Sequence, residues 1–149
     1  MKHRSRRSPF ATLAVSLLLA LLATATRAEM RQYGSFEVHY SVFSSSFLQP
    51  GIAAAYGIVR AKDRALINIA VRRGTGDAAT VSAVLSGTRG DLIRKTPLEF
   101  REIREEQAVY YIAEFDFVPG ETQYFDIAIQ PVGEARPLVL QFNHVLYAD

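Results

Sequence analysis

From Tyr33 onward the apolar residues of this chain recur at every second position, and that period restricts the fold more than any other feature. A side-chain repeat of two is the repeat of a β-strand, whose successive residues face opposite sides of a sheet. In Ser35–Phe43, Phe36, Val38, Tyr40 and Val42 share one face against Glu37, His39 and Ser41. Ala79–Leu85, Val109–Phe117, Gln123–Gln130 and Leu138–Leu146 repeat the pattern, the last with His144 standing among Leu138, Leu140, Phe142 and Leu146. Ala65–Val71 is apolar almost throughout, which predicts a strand covered on both faces. Breakers separate the runs: Arg73–Asp77, Gly87–Asp91, Pro119-Gly120-Glu121 and Pro131–Pro137. Short alternating runs divided by such turns predict an all-β fold, an immunoglobulin-like antiparallel β-sandwich of about seven strands.

Two segments depart from the period. Pro50–Gly57 predicts one short helix in the first crossover, with proline in its first turn and glycine just past its end. A helix of that length needs a sheet to dock on. Leu98–Glu106 has Phe100 and Ile103 three apart, which suits a helix or a bulged strand; Pro97 before it and a strong strand after it favour the strand.

The opening 28 residues have a different composition. Lys2, Arg4, Arg6 and Arg7 precede an uncharged run from Phe10 to Ala25, and small residues close it at Ala23-Thr24-Ala25 and Thr26-Arg27-Ala28. That is the three-part layout of a secretory signal peptide. The run is about 16 residues, short of the roughly 20 that span a bilayer as a helix. Cleavage is expected after Ala28, or after Ala25, leaving residues 29–149 as a single β-sandwich domain. The Arg6-Arg7 pair resembles a twin-arginine signal, but Phe10 stands one place late and the run is strongly apolar, so the general secretory route is expected. The expected location is the periplasm.

Cleavage reverses the charge. The whole chain has 17 Lys+Arg and 15 Asp+Glu. Lys2, Arg4, Arg6, Arg7 and Arg27 leave with the leader and no acid does, so 12 basic and 15 acidic residues remain, about −3 net. Nothing then points to nucleic acid or to an anionic membrane. The chain has no cysteine, so it carries neither a disulfide framework nor a lipid-modified cysteine.

Chemistry-bearing groups are sparse. After the leader only His39, His144 and Met30 join the carboxylates as candidate metal ligands, too few for an expected metal site. No Gly-x-Ser-x-Gly elbow accompanies Ser44-Ser45-Ser46, which reads as a polar turn. Glu114, Asp116 and Asp126 alternate with phenylalanines, as on a solvated sheet face. No catalytic residues and no cofactor are expected. Two binding candidates stand. Arg60, Lys62 and Arg64 alternate, so an extended chain would present all three to an anion. Tyr110 and Tyr111 are opposite in phase, so one of them is expected on the surface, and Tyr110 is the expected partner contact. Tyr124, just after the Pro119-Gly120 corner, reads as a structural corner tyrosine.

Three segments together carry a resemblance. They are Val38-His39-Tyr40-Ser41-Val42-Phe43 running on to Ser46-Phe47-Leu48-Gln49-Pro50; Ala55-Tyr56-Gly57-Ile58-Val59-Arg60 running on to Leu66-Ile67-Asn68-Ile69-Ala70-Val71; and Pro97-Leu98-Glu99-Phe100-Arg101-Glu102-Ile103 leading to Tyr110-Tyr111-Ile112-Ala113. The chain resembles a family of small exported proteins of Gram-negative bacteria, domain-of-unknown-function family 4426, with Ser44 where such a family would carry asparagine. The resemblance implies a periplasmic, sandwich-like domain and no assigned activity. Within these segments Asn68 interrupts an apolar strand, and a buried amide needs partners. It is expected to pin the helix-bearing loop to the sheet or, with Tyr56, to line a small pocket.

Two functions follow as expectations. The first is a non-enzymatic periplasmic module binding a protein through a sheet edge or an exposed aromatic face. The second is a small-ligand or anion-binding protein using Arg60, Lys62, Arg64, Tyr56 and Asn68, with a hydrolase as a remote third.

Overall fold

The computed structural model describes residues 28–74, 79–106 and 108–148. The expected leader lies outside them apart from Ala28, as does most of the turn expected at 73–77. Among the described residues nine strands form two antiparallel sheets: β1 (Glu29–Tyr33), β2 (Phe36–Ser44), β3 (Arg64–Arg73), β4 (Ala83–Gly90), β5 (Lys95–Pro97), β6 (Arg101–Glu105), β7 (Ala108–Asp116), β8 (Thr122–Pro131) and β9 (Leu138–Val145). One sheet has the order β1-β2-β3-β7-β6 and the other β5-β4-β8-β9. The order β2-β3-β7-β6 against β4-β8-β9 is that of an immunoglobulin constant-type sandwich; β1 and β5 lengthen the sheets at their edges. These two are the strands beyond the expected seven.

Alternation builds the core as predicted. Val38 and Tyr40 of β2, Ile67, Ile69 and Val71 of β3, Tyr111 and Phe115 of β7, Phe125, Ile127 and Ile129 of β8 and Leu140 of β9 pack in one cluster between the sheets. Phe125 stacks on Phe142 and meets Phe115 edge-on. Tyr111 crosses from sheet to sheet: its hydroxyl accepts from the Ala83 amide at 2.7 Å and donates to Glu102 at 3.1 Å.

Two boundaries differ from the sequence reading. β4 begins at Ala83 and continues through Gly87 to Gly90, where the sequence predicts a turn. A Cβ on Gly87 would stand 2.6 Å from the Asp126 carbonyl oxygen and 3.0 Å from Ile127 Cα, so this glycine permits close backbone approach within the sheet. The strand predicted at Leu98–Glu106 is shortened to β6 (Arg101–Glu105), and the chain just before it belongs to the other sheet. Lys95–Pro97 pairs with β4, the chain crosses at Leu98–Phe100, and β6 follows.

The crossover between β2 and β3 holds a 3-10 turn, Ser45–Phe47, and one helix, α1 (Pro50–Ala55). Pro50 opens α1, as predicted. The Ile58 amide bonds the Ala53 carbonyl at 2.8 Å and the Gly57 amide that of Ala54 at 3.2 Å. That paired closure needs a left-handed residue, which Gly57 supplies at φ +63°. Among the described residues no helix is long and apolar enough to cross a membrane.

Candidate functional site

Phe43 of β2, Leu66 of β3 and Ile112 of β7 point away from the main core and form a second cluster with Leu48, Ala53 and Ile58 of the crossover. Ile52, Tyr56 and Ile103 close its rim. This explains why β3 is apolar on both faces. Next to the covered patch, the same sheet face carries Ser41 and Asn68, cross-strand neighbours, then His39 opposite Ala70 and Glu37 opposite Arg72. One face is therefore apolar beneath α1 and polar beyond it.

The crossover is fastened by its own polar groups. Fully buried Ser45 accepts from the Ala61 amide at 2.9 Å and donates to the Ala61 carbonyl at 3.2 Å. The Tyr56 hydroxyl donates to Glu105. Burial, then Glu105, pushes the Tyr56 pKa up to about 12. The Ser44–Ser46 run is indeed a turn, with Ser44 accepting from the Ser46 amide at 3.3 Å.

The predicted ligand-binding residues have different surroundings. Arg60 donates to the Ser46 carbonyl at 2.9 Å. Lys62 sits in a turn, which breaks the extended alternation of the three cations. Arg64 lies 3.5 Å from Asp116 and 3.9 Å from Glu114. Glu114 also pairs with Arg101 at 3.3 Å, so carboxylates read as solvated face residues engage the cations. Tyr56 and Asn68 lie on the same side of the sheet as α1. Asn68 is buried and its Oδ1 has no hydrogen-bond partner among the described residues; that oxygen does not pin the loop. Tyr110 is half-buried on this same face, one strand in from the β6 edge, while Tyr111 is the core residue. Burial raises the Tyr110 pKa. Tyr124 is exposed on the other sheet's outer face, with no corner hydrogen bond to a described residue.

Two polar groupings escape the sequence reading. His39 Nε2 lies 3.0 Å from Glu37 Oε2, and β1 sets Met30 opposite His39. At the open side of the sandwich the Tyr40 hydroxyl donates to Glu29 at 2.7 Å. Burial, with Glu29 second, pushes the Tyr40 pKa up to about 12. Burial also lowers the pKa of nearby His144, against the opposing pull of Glu29. Both groupings depend on β1, and the exposed pattern of Glu29–Tyr33 leaves no alternation by which a sequence reading finds it. Among the described residues no group of three or more histidine and acidic side chains gathers.

Residues 30–149 match the family described as Domain of unknown function (DUF4426). The chain belongs to the DUF4426 family. A crystal structure of a DUF4426 family protein (PA0388) from Pseudomonas aeruginosa PAO1 superposes with a TM-score of 0.70 at 37% identity, covering 82% of this chain and 96% of that one. FetP of uropathogenic Escherichia coli strain F11 is more distant. A copper-bound single-residue variant of it gives a TM-score of 0.58 at 11% identity, over 83% of this chain and 97% of that one. FetP isolated after expression in the Escherichia coli periplasm gives the same score and identity, with 96% of its own length covered. The likeness of this DUF4426 chain to FetP is one of fold. No curated protein matches it.

Proposed function

We propose that this chain is a periplasmic, non-enzymatic binding module that takes an extended segment of another protein along β9. The observation that carries the reading is the contrast among the four sheet edges. Of the five residues of β6, Arg101, Glu102, Arg104 and Glu105 are charged. β5 has three residues and ends on Pro97. β1 carries Glu29 and Arg31. Charge, proline and shortness are the devices that keep an edge from pairing. β9 has none: its eight residues, Leu138–Val145, include no Asp, Glu, Lys or Arg. The lowered pKa of His144 keeps that residue neutral near pH 7. The Tyr33 hydroxyl occupies one carbonyl, that of Val139, at 2.8 Å. Further along, Gln141 and Asn143 would flank an added strand with uncharged amides. Main-chain pairing would then supply affinity and the flanking side chains selectivity. The export-signal layout of the first 28 residues supports the periplasmic location.

A photo-crosslinking residue at Gln141, compared with one at Arg104 of the guarded β6 edge, tests this in the exported chain. A discrete adduct from position 141 and none from 104 is the expected result. Equal labelling at the two positions, or no adduct at 141, refutes the reading.

One observation favours a second reading, a small polar ligand beside α1: the buried Asn68 Oδ1, which has no partner among the described residues, seeks a hydrogen-bond donor. Asn68→Val would abolish such binding while leaving crosslinking at Gln141 intact.

A further inference from the structure

β1 brings a thioether to the histidine of the outer sheet face. Met30 and His39 are directly opposed in the β1–β2 pair. Opposed residues of an antiparallel pair hold their Cβ atoms about 4.5–5.5 Å apart, a gap the flexible Met30 side chain can span. Glu37 stands two residues from His39 on the same face, with its Oε2 3.0 Å from His39 Nε2. Two ligands each about 2.0–2.1 Å from one metal ion, at an angle near 90–100°, are also about 3 Å apart. An ion replacing the shared proton would therefore find this pair already at coordination spacing.

We propose that Met30, His39 and Glu37 form a copper site, and that it takes Cu(I). Thioether sulfur with imidazole is a soft donor set that selects copper over magnesium, calcium or manganese. The surrounding charges favour the monovalent ion. Glu37 is the one carboxylate of the trio, and its cross-strand neighbours, Arg72 on β3 and the uncharged Gln32 on β1, add no second negative charge for a divalent ion. Glu37 is 8% exposed and Met30 51% exposed. The carboxylate is thus anchored against the sheet, while the thioether side is open for an ion to arrive and leave. The site lies on a different sheet from β9, and it stands or falls independently of partner binding there.

The test is a Cu(I) titration of the chain purified from the periplasm, in competition with bicinchoninate. One equivalent is expected to bind. His39→Ala and Met30→Leu should each weaken binding by at least about tenfold, since losing a ligand costs no less than losing an outer-shell partner. His144→Ala should leave it unchanged. Addition of Cu(I) should shift the Met30 ε-methyl and His39 ring resonances. Met30 is exposed, so Met30→Leu should keep the wild-type thermal midpoint and separate lost binding from lost folding. Absence of one-equivalent binding overturns the proposal. So does binding that survives both His39→Ala and Met30→Leu, or that His144→Ala removes.

Discussion

The two apolar clusters of this domain are built on opposite faces of the same strands, yet they differ in what surrounds them. The cluster between the sheets is walled by two hydrogen-bonded layers, and Ile67, Ile69, Val71, Ile127, Ile129 and Leu140 are fully buried there. The outer cluster has one sheet beneath it and, above it, a crossover held by a short helix and a few side-chain bonds. A cavity in the first has rigid walls on both sides; a cavity in the second has one wall that can settle. The cost of removing a side chain depends on how well its site can collapse.

The largest expected effect tests that difference directly. Ile69→Ala should cost about 4–5 kcal/mol and Ile58→Ala about 2 kcal/mol, the two ends of the range for such truncations, read from urea unfolding of each variant. Equal losses would mean that the crossover is as unyielding as a sheet. Native-state hydrogen exchange sharpens the point, because parts of a domain open separately when few buried contacts hold them. The Ile58 amide, bonded to Ala53 within the crossover, should exchange through a smaller opening than the β3 amides of Ile67 and Ile69.

Next in size is Tyr111→Phe, expected to cost about 1–3 kcal/mol, the usual penalty for leaving a buried donor unsatisfied. The abandoned donor is the Ala83 amide, which belongs to the opposite sheet. The same change at Tyr110, which faces outward, should cost less than Tyr111→Phe. A reversal of that order would place the sheet-to-sheet bond below the outer-face hydroxyl in importance.

What was legible in the sequence divides along the same line. β2, β3, β7, β8 and β9 declare themselves because their two faces meet different surroundings, or because both are covered. Pro50 and Gly57 announce α1 because each residue has a backbone constraint that suits one end of a helix. β1 is silent, since an edge strand exposed along its length needs no apolar alternation, and Gly87 misleads because close approach and turning favour the same residue. Around the candidate sites, Tyr56 and Asn68 share a sheet face because Tyr56 closes the crossover's patch and Asn68 lies on β3 just beyond it. The extended run expected through Arg60, Lys62 and Arg64 is interrupted by a turn at Lys62-Asp63 that alternation alone does not reveal. The opposition of Met30 and His39 is a matter of register, and register is set by pairing rather than by composition.

Each cluster also has a tyrosine whose hydroxyl donates to a glutamate, Tyr40 to Glu29 and Tyr56 to Glu105. Both pKa values stand near 12 in the folded chain against an ordinary 10.0. The folded state thus holds these protons more tightly than the unfolded state does. Their stabilising contribution is complete below pH about 10 and is lost as the pH rises toward about 12. Thermal midpoints measured across that window should fall. Tyr40→Phe and Tyr56→Phe should each flatten the fall, and a slope unchanged by both would detach it from these two hydroxyls.

The smallest expected effect belongs to neither cluster and serves as their control. Asp91 turns β4 into β5 by accepting the Ile93 amide at 2.7 Å and the Arg94 amide at 2.5 Å. Those two backbone bonds, Arg94 first, hold its pKa below the usual carboxylate value. With a folded pKa below the unfolded one, its contribution is present above the unfolded pKa and is lost as the pH falls through the folded one. The side chain is exposed, and water replaces what a substitution removes. Asp91→Ala should therefore shift the acid limb of the stability profile slightly and leave the alkaline limb where it was. An alkaline shift in that variant would mean that the turn is coupled to the tyrosine–glutamate pairs across the sandwich, and the two clusters could no longer be treated as separate units.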